Sequence, residues 1–115
     1  MDPNCIFCRI ITEDASASIV HQDDEVIAFH DSHPVAPIHI LIVPLVHIPS
    51  INQISEENDQ IIARMFKVAK QLAANNGIGE SGFRLIINSG LDANQSVFHL
   101  HLHLLGGRPM RYPMG

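Results

Sequence analysis

The stretch that most constrains this chain lies near its C-terminus, where Gln95-Ser96-Val97-Phe98 runs into His99-Leu100-His101-Leu102-His103-Leu104-Leu105-Gly106-Gly107. Histidine and leucine alternate with period two, the pattern of a half-buried β-strand. Successive side chains on a strand point to opposite faces, so the leucines share one face and the three imidazoles the other. Same-face neighbours then lie about 6.6 Å apart. A solvated face needs only polar residues, and Thr, Lys or Glu would serve. A row of histidines instead supplies groups whose charge changes near neutral pH. Such a row suits a linear ligand or a reaction axis. It suits one tetrahedral metal poorly, because Zn–N bonds are only about 2.0–2.1 Å.

The rest of the chain predicts an α+β fold. At 115 residues it reads as one domain spanning 1–115, long enough to bury about 65% of its unfolded surface without a disulfide staple. A short helix is expected over 5–12. Strands are expected over 18–21 and 25–30, with Gln22-Asp23-Asp24 as the turn between them. The run 39–43 is nearly all apolar, which predicts a strand buried on both faces. From 55 to 76 apolar residues recur at Ile61, Ile62, Met65, Phe66, Ala69, Leu72 and Ala73, one stripe of a long helix. Ser55 is its expected N-cap and Gly77 the residue that ends it. Strands follow over 83–88 and 99–106, giving five in a mainly antiparallel sheet.

Bulk properties narrow the partners. The formal net charge of −5 excludes a phosphate-tracking surface, so no nucleic acid is expected. A single nucleotide remains open, since a few local donors hold one phosphate. No membrane segment is expected: the longest apolar stretch, 35–48, is broken by Pro37, His39, Pro44 and His47. No basic, apolar leader opens the chain, and a cytoplasmic location is the default expectation. Two cysteines in such a compartment stay reduced and point to metal or redox use.

The histidine row carries chemistry on its own terms. Neutral imidazole is a competent nucleophile near pH 7. Transfer at phosphorus needs an in-line attacker, donors on the equatorial oxygens and a proton for the leaving group. The central His101 has a neighbour on each side and is the natural attacker. His103 would donate to a phosphate oxygen, and His99 would orient or shield. Separately, Cys5-Ile6-Phe7-Cys8 is a C-x-x-C, open on sequence to redox or metal use, although no thioredoxin-like βαβ pattern surrounds it.

The run from His99 to Leu105 resembles, without a mismatch, the signature of the histidine-triad (HIT) family of nucleotide hydrolases and transferases. Cys5 to Ile11, Ala28 to Asp31, Ala36 to His39, Val43-Pro44, His47-Ile48, Ile87-Asn88 and Gly106 to Met110 resemble its Hint branch. The resemblance implies a HIT-like fold, a five-stranded sheet with one short and one long helix. It also implies a homodimer with joined sheets, in which the C-terminal tail, 107–115, reaches across the dimer. Tyr112 stands where the family usually has Trp. The implied activity is hydrolysis of P–N bonds in purine nucleoside 5′-monophosphoramidates, through a nucleotidyl intermediate on His101, with AMP or GMP as product. Ser96 would contact the phosphate or leaving group and help protonate the departing amine.

The resemblance also implies the nucleotide-binding set. Asp31 would hold ribose, Ile6, Phe7 and Ile10 would form the base slot with Phe29 and His30 beside it, and Asn88, Asn94, Gln95, Ser96 and Val97 would join His101 and His103 around the nucleotide. Asn94 replaces a usual glycine, which calls for a backbone at positive φ. A structural zinc held by Cys5, Cys8, His47 and His99 is implied by relatives that complete the C-x-x-C with two histidines. His99 would then fix the strand beside His101, and His39 would support the site from its neighbouring strand. Three rivals remain at this point: a Fhit-type dinucleoside polyphosphate hydrolase, a hydrolase with a catalytic metal on His101 and His103, and a nucleotide-binding protein without turnover.

Overall fold

A computed structural model describes residues 2–113, so Met114 and Gly115 of the tail lie outside the described residues. In chain order the elements are α1 (Ile6–Ile11), β1 (Ile19–Gln22), β2 (Val26–His30), β3 (Ile38–Pro44), α2 (Asp59–Asn75), β4 (Phe83–Ile86) and β5 (Leu102–Gly106). The strands form one five-stranded sheet in the order β1-β2-β3-β5-β4, every neighbouring pair antiparallel. The expected α+β architecture is present, with element ends differing by a few residues. No helix among the described residues is long and apolar enough to cross a membrane.

Strand alternation sorts the core into two halves. Val26, Ala28, Ile40, Ile42, Leu102 and Leu104 face α2 and meet Met65, Val68, Ala69, Leu72 and Ala73. Ile27, Phe29, Leu41 and Val43 face the other way and pack on Phe7, Cys8 and Ile10 of α1. Strand β3 is therefore covered on both sides, as its unbroken apolar run requires. Phe66, expected in the helix stripe, is instead 43% exposed, and Val68 fills the core. At about 100° per residue, position 66 sits on the flank of a stripe centred on 65, 69 and 72.

Local chemistry fixes the ends of α2. The Ser55 backbone N–H donates to Asn58 Oδ1 (2.9 Å) within a 3-10 turn, Glu56–Asn58, so the α-helix proper starts four residues after Ser55. Beyond its C-terminus Gly77 adopts φ +73°, and the Gly77 and Ile78 amides bond back to Ala74 and Ala73 carbonyls, a Schellman closure. On the β1–β2 turn the Asp23 carboxylate accepts from the Glu25 and Val26 amides. Burial alone would raise its pKa. The His21 imidazole at 2.6 Å, the two amides and Arg64 of α2 together hold it well below the usual carboxylate range. His21 is thus half-buried in a tie between the hairpin and α2.

The main correction concerns the histidine strand. It was expected over 99–106, yet β5 begins at Leu102. The ladder with β3 stops at Ile42↔Leu102. Upstream, the Leu100 amide turns to the Ile48 carbonyl (2.6 Å) instead of a strand partner. The period-two sorting nevertheless survives: Leu100, Leu102 and Leu104 all enter the α2 core. After β5 the chain squeezes between two neighbours. A Cβ on Gly106 would lie 2.5 Å from Ile78 Cδ1, and one on Gly107, at φ +99°, would lie 2.9 Å from Pro37 Cβ. The tail then lies along β4, where Arg84 Nη1 donates to the Tyr112 carbonyl (2.7 Å).

Candidate active site and metal cluster

Helix α1 starts at a cysteine because Cys5 Sγ accepts from the Cys8 amide (3.4 Å), an N-cap made by sulfur. This brings both thiols of the C-x-x-C inward, where His47 and His99 meet them. His99 Nδ1 lies 3.4 Å from Cys5 Sγ, 3.6 Å from Cys8 Sγ and 3.1 Å from His47 Nδ1, and Cys8 Sγ lies 3.3 Å from His47 Nδ1. All four ligand atoms fall within 4.8 Å of one another, so the cluster can hold a metal ion. A tetrahedral centre with Zn–N of about 2.0–2.1 Å and Zn–S of about 2.3 Å has N···N and S···N edges of about 3.3 and 3.6 Å. The observed spacings fit that size.

Two further facts fit the cluster to a cation. His99 Nε2 donates to the Pro44 carbonyl (2.8 Å), which leaves the lone pair on Nδ1, the atom facing the thiols. Burial drives the His99 pKa down to about 4, so the ring is neutral and able to ligate. Burial also pushes the Cys8 thiol up; a bound divalent cation would reverse that. His99 is fully buried and its ring is committed to this cluster. It was expected among both the catalytic groups and the metal ligands, and the structure places its ring in the cysteine–histidine cluster and outside the lining of the cavity beside His101 and His103.

One bond further along, His101 is oriented by the same residue. Its Nδ1–H donates to the His99 carbonyl (2.8 Å), so Nε2 carries the free lone pair. Phe7, between the two cysteines, packs edge-on against the His101 ring at 5.1 Å, against His99 at 5.9 Å and against Phe29 at 5.5 Å. The His101 and His103 rings are 5.0 Å apart, centre to centre.

His103 has its tautomer set from β3. The Val35 amide donates to His39 Nδ1 (3.2 Å), which leaves the proton of neutral His39 on Nε2. That Nε2 lies 2.9 Å from His103 Nδ1 and 3.3 Å from Asp31 Oδ2. His103 Nδ1 accepts, and the His103 proton sits on Nε2, a buried atom with no hydrogen-bond partner. An orphaned buried donor beside a free imidazole lone pair is a site waiting for an anionic oxygen.

Burial lowers the pKa of His39, His101 and His103, the last to about 4. Histidines depressed below their unfolded value near 6.5 bind protons first in the unfolded chain. Stability is therefore full above about pH 6.5 and falls as pH drops toward 4. Urea midpoints measured at pH 7.5, 6 and 5 should decline in that order, and His103→Gln should flatten part of the decline. A midpoint that does not move over this range contradicts the neutral, buried state of these rings.

His101 and His103 both line a cavity of about 580 Å³. Ile6, Phe7, Ile10 and Phe29 form its apolar wall, Asp31 and His30 its edge, and Ser96 and Val97 its mouth beside His101 and His103. The chain matches, over residues 4–111, the family described as scavenger mRNA decapping enzyme C-term binding. It is 47% identical over 110 residues to the purine nucleoside phosphoramidase of Escherichia coli K12, covering 96% of this chain and 92% of that protein. It superposes on the crystal structure of a HIT family hydrolase from Legionella pneumophila with a TM-score of 0.94 at 42% identity, covering 97% and 100% of the two chains. A HIT family hydrolase from Clostridium thermocellum gives 0.93 at 46% identity, covering 96% of each. The chain belongs to the histidine-triad family.

Within this HIT fold, three of the expected nucleotide-binding residues fall outside the cavity wall. Gln95 is buried, its amide donating to the Pro49 and Val97 carbonyls and its Oε1 accepting from the Gly90 amide, so it braces the loop that presents Ser96. Asn94 is exposed at φ +62°, the left-handed backbone its replacement of glycine demanded. Asn88 lies on a neighbouring cavity. Sequence reasoning missed Ser16, Ser18, Ser32 and Leu41, which also line the HIT cavity. Leu41 could have been found: it stands one strand over from His103 in register. The serines carry no pattern that would mark them.

Proposed function

We propose that this HIT protein hydrolyses the P–N bond of purine nucleoside 5′-monophosphoramidates. The observation that carries the reading is the convergence of a free imidazole nitrogen on His101 and an unpartnered N–H on His103 at one nucleotide-sized cavity. The E. coli relative named for this activity supports it. The base lies against Ile6, Phe7, Ile10 and Phe29, and the Asp31 carboxylate accepts from the ribose hydroxyls. His101 Nε2 attacks phosphorus while His103 Nε2–H binds a non-bridging oxygen. The P–N bond breaks, its electron pair stays on nitrogen, and the Ser96 hydroxyl supplies the proton that makes a neutral amine. Water then regenerates Ser96 and cleaves the nucleotidyl-His101 bond, releasing the nucleoside monophosphate. The backbone next to Asn94 and the braced Gln95-Ser96-Val97 loop close over the phosphate.

Cys5, Cys8, His47 and His99 hold zinc, a closed four-ligand site whose role is structural. The protein acts as a homodimer through the open β4 edge, with the tail at the junction. Paired assays separate this reading from the Fhit type: an adenosine 5′-phosphoramidate and a diadenosine polyphosphate, compared by kcat/KM. The phosphoramidate should be favoured by about a hundredfold or more, the range that transition-state discrimination reaches when buried polar partners are matched. A preference for the dinucleotide overturns the proposal.

A further inference from the structure

The cysteine–histidine cluster is not sealed. A cavity of about 340 Å³ lies against it, and Cys5 and His47 line that cavity, whereas Cys8 and His99 do not. Cys5 keeps 7% of its surface exposed and Cys8 none. Asp2 and Asn4 form one part of the wall, Val97 and Phe98 another. Ile6, Ser96 and Val97 line both this cavity and the nucleotide cavity, so the two adjoin. A small solute that enters meets one of the two thiols and not the other.

The two sulfurs are also placed to react with each other. Both cysteines are free. Cys5 Sγ accepts from the Cys8 amide (3.4 Å), and the two Sγ atoms lie within 4.8 Å of one another and of the two imidazole nitrogens. A disulfide draws its sulfurs to about 2.05 Å, and a C-x-x-C at a helix start is a spacing that closes in this way. Closure removes two ligands at once, because a sulfur in a disulfide no longer carries the negative charge that a Zn–S bond needs. Ile6 and Phe7 lie between the two cysteines and line the nucleotide cavity, and Phe7 packs 5.1 Å from the His101 ring. A change in the span from Cys5 to Cys8 is therefore a change in the wall of that cavity.

We propose that Cys5 is a modification site for hydrogen peroxide, with Cys8 as its resolving thiol, and that oxidation there releases the metal and weakens nucleotide binding. The inference takes its metal from the zinc reading and its chemistry from the thiols alone. The Cys5 sulfur attacks one peroxide oxygen, the O–O bond breaks, and Cys5 becomes a sulfenic acid while the departing hydroxide takes a proton and leaves as water. The Cys8 sulfur then attacks the Cys5 sulfur. The S–S bond forms, the S–O bond breaks, and the hydroxyl leaves with a proton as a second water. The two protons come from the thiols or, where zinc holds the sulfurs as thiolates, from solvent. Two electrons pass from the sulfurs to one peroxide, and zinc departs as Zn²⁺ with its charge unchanged. Hydrogen peroxide is small and neutral, whereas an oxidant such as glutathione disulfide is bulky, anionic and repelled by the Asp2 carboxylate in the wall.

The test loads the full-length protein with zinc and treats it with hydrogen peroxide. Dimedone added early should label Cys5 and not Cys8. The final product should be two hydrogens lighter by intact mass, with its Cys5 and Cys8 peptides linked. A metallochromic dye should register zinc release in step with the disulfide. AMP should then bind about fivefold or more weakly, and dithiothreitol with zinc should restore both metal and affinity. Cys8→Ser should stop at a dimedone-reactive Cys5, and Cys5→Ser should leave Cys8 unlabelled; the early labelling of the wild type decides the same point if either variant fails to fold. Thiols that stay reduced, a first label on Cys8, a glutathione adduct that outpaces the disulfide, or a disulfide that leaves AMP affinity unchanged overturns the proposal. Protein that takes up no zinc before treatment sinks the zinc reading, an outcome separate from the labelling, which still decides the fate of Cys5.

Discussion

His101→Ala lowers turnover of a nucleoside phosphoramidate by about 10⁴-fold or more, because the step that forms the covalent intermediate loses its nucleophile and nothing nearby replaces it. His99 Nδ1 faces the thiols, and His103 carries an N–H, not a lone pair, on Nε2. The fold should survive. The ring packs on Phe7, but the surrounding α1 cluster of Phe7, Ile10, Ile27, Phe29 and Leu41 remains. Nucleotide affinity should change little, since the proposed base and ribose contacts lie on α1, β2 and Asp31. Rapid acid-free quenching of the wild type during turnover should find a nucleotidyl group on a nitrogen of His101. Near-normal rates in the variant would falsify the mechanism.

His39→Gln offers a finer readout of the same site. His39 reaches substrate only through His103, whose Nδ1 it faces. A residue that fixes a tautomer changes kcat more than KM and alters the pH profile, whereas a purely packing residue changes stability alone. The glutamine amide still donates one hydrogen bond, so its loss should be smaller than that of His101→Ala.

These roles divide sharply into what the chain discloses and what only folding shows. The sheet was legible because alternation and apolar runs are local signals: 39–43 had to be covered on both faces, and it is. The sidedness of His99, His101 and His103 was legible for the same reason. Their different fates were not. Whether an imbalance of one backbone bond lifts His99 out of the ladder depends on the Ile48 and Pro44 carbonyls, half a chain away. The tautomers depend on Val35 and the His99 carbonyl, partners no spacing rule names. Gln95 shows another limit: a polar residue beside Ser96 invites a substrate role, and no local pattern discloses that the Gly90 amide, the Val97 carbonyl and the distant Pro49 carbonyl hold its side chain.

Removing the proposed zinc should have the second largest effect, and it should reach the proposed nucleotide site. The two cysteines bracket Ile6 and Phe7, which both line the cavity and are proposed to meet the base, and His99 links the cluster to His101 through its carbonyl. Without a cation, the two thiols and two imidazole nitrogens, all within 4.8 Å of one another, have only weak sulfur–nitrogen hydrogen bonds to hold them. At free zinc a thousandfold above its Kd, binding stabilises the folded chain by about 4 kcal/mol. Stripping it with a chelator should then lower Tm by on the order of 15 °C. Cys8→Ser, at a fully buried position, should lower Tm similarly and make the remaining stability indifferent to added zinc. Metal-free protein should also bind a 5′-mononucleotide about five- to hundredfold more weakly, and by reciprocity the nucleotide should tighten metal binding by the same factor in a chelator competition. Cobalt or cadmium in place of zinc should restore both Tm and turnover, as a structural centre allows. Activity that returns only with zinc, while Tm returns with any of the three, would instead put the cation in the chemistry.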